Sequence, residues 1–169
     1  MFGTLEFDSC WVAHVFVPML NKSLRLELTA ATSRTPNQTE RDHWQKFMAQ
    51  QPQLKKGFEA ALFEYYTANL EQFRMPFDED EEESFAPTLQ NPSEIWDLLE
   101  PLPYFWMIEG NNGTPYISLE FTPRWDEEHG VVVELIEDQI GISEGGTPWH
   151  LQDRYGLDGQ RFAFPGEPT

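Results

Sequence analysis

Cysteine occurs once, at Cys10, in a chain of 169 residues, so no disulfide can form within it and a cytoplasmic, reducing location is expected. Cys10 also lacks a nearby cationic partner to lower its pKa, and it reads as an inert strand thiol. Long apolar runs are missing too. The longest, from Cys10 to Leu20, is interrupted by His14 and Pro18, and falls short of the roughly 20 residues that a membrane helix needs. The opening Met1-Phe2-Gly3-Thr4 carries no basic segment, so no leader is expected. Bases number only 11, which disfavours nucleic acid as a partner because phosphate contacts require clustered Lys and Arg. There is no glycine-rich phosphate loop, no His-Glu-x-x-His and no cysteine pair for zinc, so no cofactor is expected and no catalytic residue is assigned.

What the chain has in abundance is acid. Six acids and seven bases precede residue 61, so 23 of the 29 acids but only four of the 11 bases follow it. A nearly neutral first third is thus joined to a strongly anionic remainder. Such a surface repels nucleic acid and anionic lipid and attracts basic surfaces. Apolar residues make up 40% and aromatic ones 14%, enough for a core, and a single domain over 1–169 is expected.

Residues 3–29 alternate as strands, with Leu24, Leu26 and Leu28 on one face and a turn at Asn21-Lys22-Ser23. From Pro36 to about Met75 the spacing becomes helical. A first helix starts near Thr35-Pro36 or Thr39-Glu40 and turns Trp44, Phe47 and Met48 inward. A second starts near Pro52 and carries Leu54, Phe58, Ala61, Leu62 and Tyr65 on one stripe. Residues 76–86 hold the run Asp78, Glu79, Asp80, Glu81, Glu82, Glu83, which reads as a solvated loop. A short helix capped by Ser93 follows and ends at Pro101 and Pro103. Two hairpins come next, Tyr104–Glu109 with Tyr116–Thr122 about Gly110–Gly113, and Val131–Ile136 with Gln139–Ile142 about Glu137-Asp138. The tail from about 144 to 169 is irregular, with Trp149, Tyr155, Phe162 and Phe164 as anchors. The expected fold class is α+β, with antiparallel β-meanders at both ends and a central helical hairpin packed on the sheet.

Trp125-Asp126-Glu127-Glu128-His129-Gly130 is the densest polar group outside the acidic run. As a turn, it has an Asp to bond backbone amides, a Gly free to take positive φ, a Trp anchor and Glu–His pairing to hold the loop. As a site, Asp126, Glu128 and His129 together with His150 supply the ligand types of a metal-dependent or hydrolytic enzyme. His14 and His43 are isolated and read as packed or solvent-facing.

Three segments resemble an uncharacterised bacterial domain family: Phe2-Gly3-Thr4-Leu5-Glu6-Phe7-Asp8 with Trp11, Phe63-Glu64-Tyr65-Tyr66, and Trp125-Asp126-Glu127-Glu128-His129-Gly130-Val131. The resemblance covers most of residues 2–142. Family members look like proteins of bacterial polymorphic-toxin loci, where small acidic proteins act as immunity factors. The resemblance therefore implies a non-enzymatic inhibitor of a basic toxin such as a nuclease. On the charge pattern, its contacts are expected at Asp78 to Glu83, with Glu94, Asp97, Glu127 and Glu137 as additions. A homodimer formed through exposed aromatics is a third reading.

Overall fold

The computed structural model describes residues 5–8, 10–28, 35–78, 81–109, 115–136, 139–144 and 160–163. The alternating N-terminal segments form β1 (Glu6–Asp8), β2 (Cys10–Val17) and β3 (Lys22–Leu28), paired antiparallel in chain order. Between β2 and β3 the chain turns through a 3-10 segment, Pro18–Leu20. Asn21 closes it at φ 52, its amide donating to the Pro18 carbonyl at 3.1 Å. Asparagine tolerates that left-handed conformation better than most residues.

Helix α1 (Gln38–Ala49) begins one residue after Asn37. The Asn37 side chain accepts from the Glu40 amide at 2.9 Å, and the Glu40 carboxylate accepts from the Asn37 amide at 2.6 Å. This reciprocal cap fixes the start between the two places that the sequence suggested. Helix α2 (Gln51–Ala68) follows through the single residue Gln50, with Pro52 in its first turn. The helical stretch expected to run to Met75 breaks at Asn69, whose side chain donates to the Tyr65 carbonyl at 2.7 Å, and resumes as α3 (Leu70–Arg74). A short α4 (Glu82–Phe85) and a 3-10 segment, Pro92–Leu98, complete the crossover. Asn91, not Ser93, caps the latter.

The remaining strands are β4 (Leu99–Glu109), β5 (Pro115–Pro123), β6 (Val131–Ile136), β7 (Gln139–Glu144) and β8 (Gln160–Ala163), each antiparallel to the one before. Pro101 and Pro103 do not end a helix. They lie inside β4, where the register with β5 shifts between Pro101 and Phe105. Proline has no N–H to give the ladder, so pairing lapses there. β8 falls in the tail expected to be irregular. Of the tail anchors, Phe162 pairs in register with Ile140, while Trp149, Tyr155 and Phe164 lie outside the described residues, as do both hairpin turns.

The two meanders are not separate. β3 pairs with β4 in parallel, Leu26 opposite Phe105 and Leu28 opposite Met107, so the described strands form one sheet in the order β1 to β8. A parallel neighbour requires a crossover of a dozen or more residues, and the helical segment supplies it. Nor do the helices form a hairpin flanked by meanders. α1 contacts β5 and α2 contacts β7 and the two 3-10 segments. Rows of side chains run across the inner face, Leu26–Phe105–Leu119–Val133–Ile142 and Leu28–Met107–Ile117–Leu135–Ile140. Trp44 and Phe47 of α1 lie on Phe105, with ring centroids 6.2 Å away in each case. On the other face Tyr116, Ser118, Val132 and Glu134 are also buried, which explains why β6 reads as an almost continuous apolar run.

Phe105 is where the parallel join and α1 meet, and it is wholly buried. Phe105→Ala is expected to lower stability by about 3–5 kcal/mol, read as a fall in the urea midpoint. An unchanged midpoint would show that the join does not anchor the core.

Candidate functional site

The turn from β5 to β6 is held from below and from within. Trp125 is buried, stacked on Phe73 of α3 at 5.2 Å and 4.8 Å from Tyr66 of α2. The Tyr66 hydroxyl donates to the Pro87 carbonyl at 2.7 Å. Within the turn, the Asp126 carboxylate accepts from the His129 amide at 3.1 Å and faces the His129 Nδ1 at 3.0 and 3.1 Å, while the Gly130 amide donates to the Asp126 carbonyl. Pairing thus fixes the loop, but the carboxylate is that of Asp126, not of a glutamate. Gly130 sits at φ +73, and a Cβ there would lie 3.0 Å from the Phe121 carbonyl oxygen, so conformation and space both demand glycine.

Glu144 ends β7 opposite Val131, which brings it beside this turn. The hydrogen bond to Asp126, then its charge and those of Glu128 and Glu144, hold the exposed His129 imidazole above the usual histidine range. Below them the phenol of Tyr65 is pushed up, first by burial and then by Glu144 and Asp126. Negative potential therefore extends inward from the rim.

Turn, α3 and α4 together enclose a cleft of about 560 Å³. Phe73, Phe77, Phe85 and Trp125 supply its aromatic lining, and Asp126, Glu127, Glu128 and Glu144 its acidic part, alongside Arg124 and His129. Phe77 and Phe85 lie parallel, 4.5 Å apart with 3° between their planes. They flank the acidic run and close its two ends upon each other.

That run is not simply a solvated loop. Arg74 donates to Glu83 at 2.6 Å, to Thr88 Oγ1 at 2.9 Å and to the Ala86 carbonyl at 3.0 Å, with Glu82 at 4.0 Å. The Thr88 amide, the Thr88 hydroxyl and then Arg74 hold the Glu83 carboxyl below the ordinary glutamate range. Arg124 donates to the Ser84 carbonyl at 2.6 Å. Glu82 and Glu83 are thus engaged internally. Asp78 and Glu81 are exposed, and Glu79 and Asp80 lie outside the described residues.

The other expected contact residues separate. Glu94 accepts from the Asn91 side chain and then from the amides of Gln90 and Asn91, bonds that close the 3-10 segment and lower its pKa. Asp97 and Glu127 come together, lining a shallower groove of about 280 Å³ with Glu100 and Arg124. Glu127 borders both depressions. Glu137 lies outside the described residues. Of the alternative ligand set, Asp126 and His129 touch, Glu128 is exposed beside them, and His150 lies outside the described residues. Among the described residues, no group of three or more His, Cys, Asp or Glu side chains could hold a metal ion. Sequence reasoning passed over Phe77, Phe85, Arg124 and Glu144. The available signal was the phenylalanine at each end of the acidic run.

Fold and site define a mixed α+β protein, a single sheet with helices on one face and an acid-rimmed aromatic cleft beside the β5–β6 turn. The chain belongs to the family described as Domain of unknown function (DUF6985), whose sequence model matches residues 1–146 and so takes in every residue lining the cleft. No curated protein and no solved structure matches the chain. No helix among the described residues is long and apolar enough to cross a membrane.

Two expectations follow from the turn. Gly130→Ala should cost about 1–3 kcal/mol, seen as a lower melting temperature with the sheet spectrum retained; unchanged melting would deny the strain. His129 has a folded pKa above its reference value of 6.5. Its protonated form therefore stabilises the fold below about pH 6.5, and the contribution is lost as pH rises through the folded value. An NMR titration should place the His129 midpoint above 6.5 in the native protein and lower in Asp126→Asn; equal midpoints would show that the pair is not formed.

Proposed function

We propose that this protein is a non-enzymatic immunity protein, acting in the cytoplasm to bind and neutralise a basic bacterial toxin through its acidic surface. The observation that carries this reading is the cleft, where Asp126, Glu127, Glu128 and Glu144 crowd around an aromatic lining with Arg124 and His129 as the cations. A toxin that acts on nucleic acid must present positive charge to hold phosphates. Carboxylates on a rigid frame can occupy that surface and exclude the substrate. The net charge of −18 adds long-range attraction, which can raise association rates by about 10–10³. The resemblance of the Trp125–Gly130 turn to that of a family whose members look like proteins of toxin loci supports this class of partner.

Asp97 and Glu127, which share a groove, are the best-placed of the originally expected contacts. Asp78 and Glu81 extend the field outward. Glu82, Glu83 and Glu94 serve mainly to order the chain on which the others stand.

A second reading has one observation in its favour, the Asp126–His129 pair at the edge of a cleft, an arrangement that also orients imidazoles in enzymes. Metal analysis of the purified protein and assay of His129→Ala discriminate between the two. Bound metal, or a hydrolytic activity lost in that variant, would displace the binding reading.

Binding to a toxin encoded beside this chain should weaken steeply with salt, the association rate falling by about tenfold or more between 50 and 300 mM. Stopped-flow mixing measures it. A rate indifferent to salt would sink the electrostatic reading.

A further inference from the structure

We propose that the cleft is a receptor for a single cationic side chain, best an arginine, projected by the basic partner. This inference rests on the proposed function and adds where, and by what chemistry, recognition is centred. The volume, about 560 Å³, lies in the range of preformed sites for small ligands and is ample to admit a long side chain. Its chemistry is two-sided. Phe77 and Phe85, partly exposed, offer aromatic carbon against which a guanidinium can stack while its stem packs on apolar surface, with the buried Trp125 completing the lining.

The charges of the cleft then select the sign of the occupant. Both cations of the lining already have bonds of their own, Arg124 to the Ser84 carbonyl and His129 to Asp126. Among the described residues, Glu127, Glu128 and Glu144 form no ion pair. Glu127 and Glu128 stand on the turn and Glu144 at the end of β7, all three exposed. An anionic occupant would meet them unfavourably, and a purely apolar one would desolvate them without replacing the lost hydration. A guanidinium satisfies both parts, giving its planar face to the rings and its N–H groups to carboxylates, which a lysine ammonium does less well. The adjoining groove adds Asp97 beside the shared Glu127 for the segment that carries the arginine, while its Glu100 is paired with Lys22.

The test uses the full chain and three synthetic peptides, hexa-arginine, hexa-lysine and hexa-citrulline, the last matching arginine in shape without its charge. Affinity is measured by calorimetry at low salt, and the Trp125 indole and His129 imidazole signals are followed by NMR. Hexa-arginine should bind more tightly than hexa-lysine, shift both signals and outbind hexa-citrulline at least tenfold. The exposed triple variant E127Q/E128Q/E144Q should weaken hexa-arginine at least tenfold, and Phe85→Leu by about two- to fivefold with little effect on hexa-lysine. E6Q/E64Q, exposed on β1 and α2 and outside both linings, should stay within twofold of the parent. Unchanged melting temperatures in the triple variant and in E6Q/E64Q show that charge and not folding is being read. If hexa-arginine binds but E6Q/E64Q loses as much as the rim variant, or the rim variant loses nothing, the cleft is not the receptor while the basic-partner reading stands. If hexa-citrulline binds equally, or no cationic peptide binds at low salt, both fall.

Discussion

The parallel pairing of β3 with β4 is the constraint from which the rest of this structure follows. Leu26 against Phe105 and Leu28 against Met107 make one inner face out of two meanders that are separated in sequence by α1 to α4. Because a parallel neighbour can be reached only by crossing over, the helices must travel along the sheet between the two strands. Their route brings α3 and the Phe77–Phe85 clasp to the end of the sheet where β5 turns into β6, and there Trp125 seats itself on Phe73 and Tyr66. Cleft and core share one aromatic chain, so the site is as rigid as the packing beneath it.

A second constraint is how few bases stand in the acidic part of the chain. The two whose side chains are described, Arg74 and Arg124, both hold the α4 segment to the body, one through Glu83, Thr88 and Ala86 and the other through Ser84. Positive charge is therefore used to tether the most acidic stretch. The effect is a division of labour among the carboxylates. Glu83 and Glu94 serve local architecture, and Glu40 closes a helix cap, while Glu127, Glu128 and Glu144 form no ion pair among the described residues.

Local signals in the sequence were faithful where one residue type has one physical use. The alternation of Leu24, Leu26 and Leu28, the stripe from Leu54 to Tyr65, Pro52 in a first turn and Gly130 at positive φ are visible without coordinates because each follows from backbone geometry within a few residues. Signals with several uses misled. Pro101 and Pro103 suggested a helix end but mark a lapse in the β4 ladder, since proline's missing N–H disrupts either structure. Asn91 displaced Ser93 as a cap, both being good capping residues two positions apart. Six adjacent acids suggested a free loop because Arg74, its neighbours' counter-charge, appears in sequence as merely one more residue on the preceding helix.

Composition and short-range spacing by themselves determined the sign of the surface, the class of the fold and the presence of a built turn at Trp125–Gly130. These are sums or local patterns, and no folding is needed to evaluate them. Only the tertiary structure decided that the two meanders are one sheet, that Glu144 stands beside His129, and that Phe77 and Phe85 close upon each other. Such neighbours are chosen by register and pairing between distant segments, and a single-residue slip of β7 against β6 would turn Glu144 away from His129 to the opposite face.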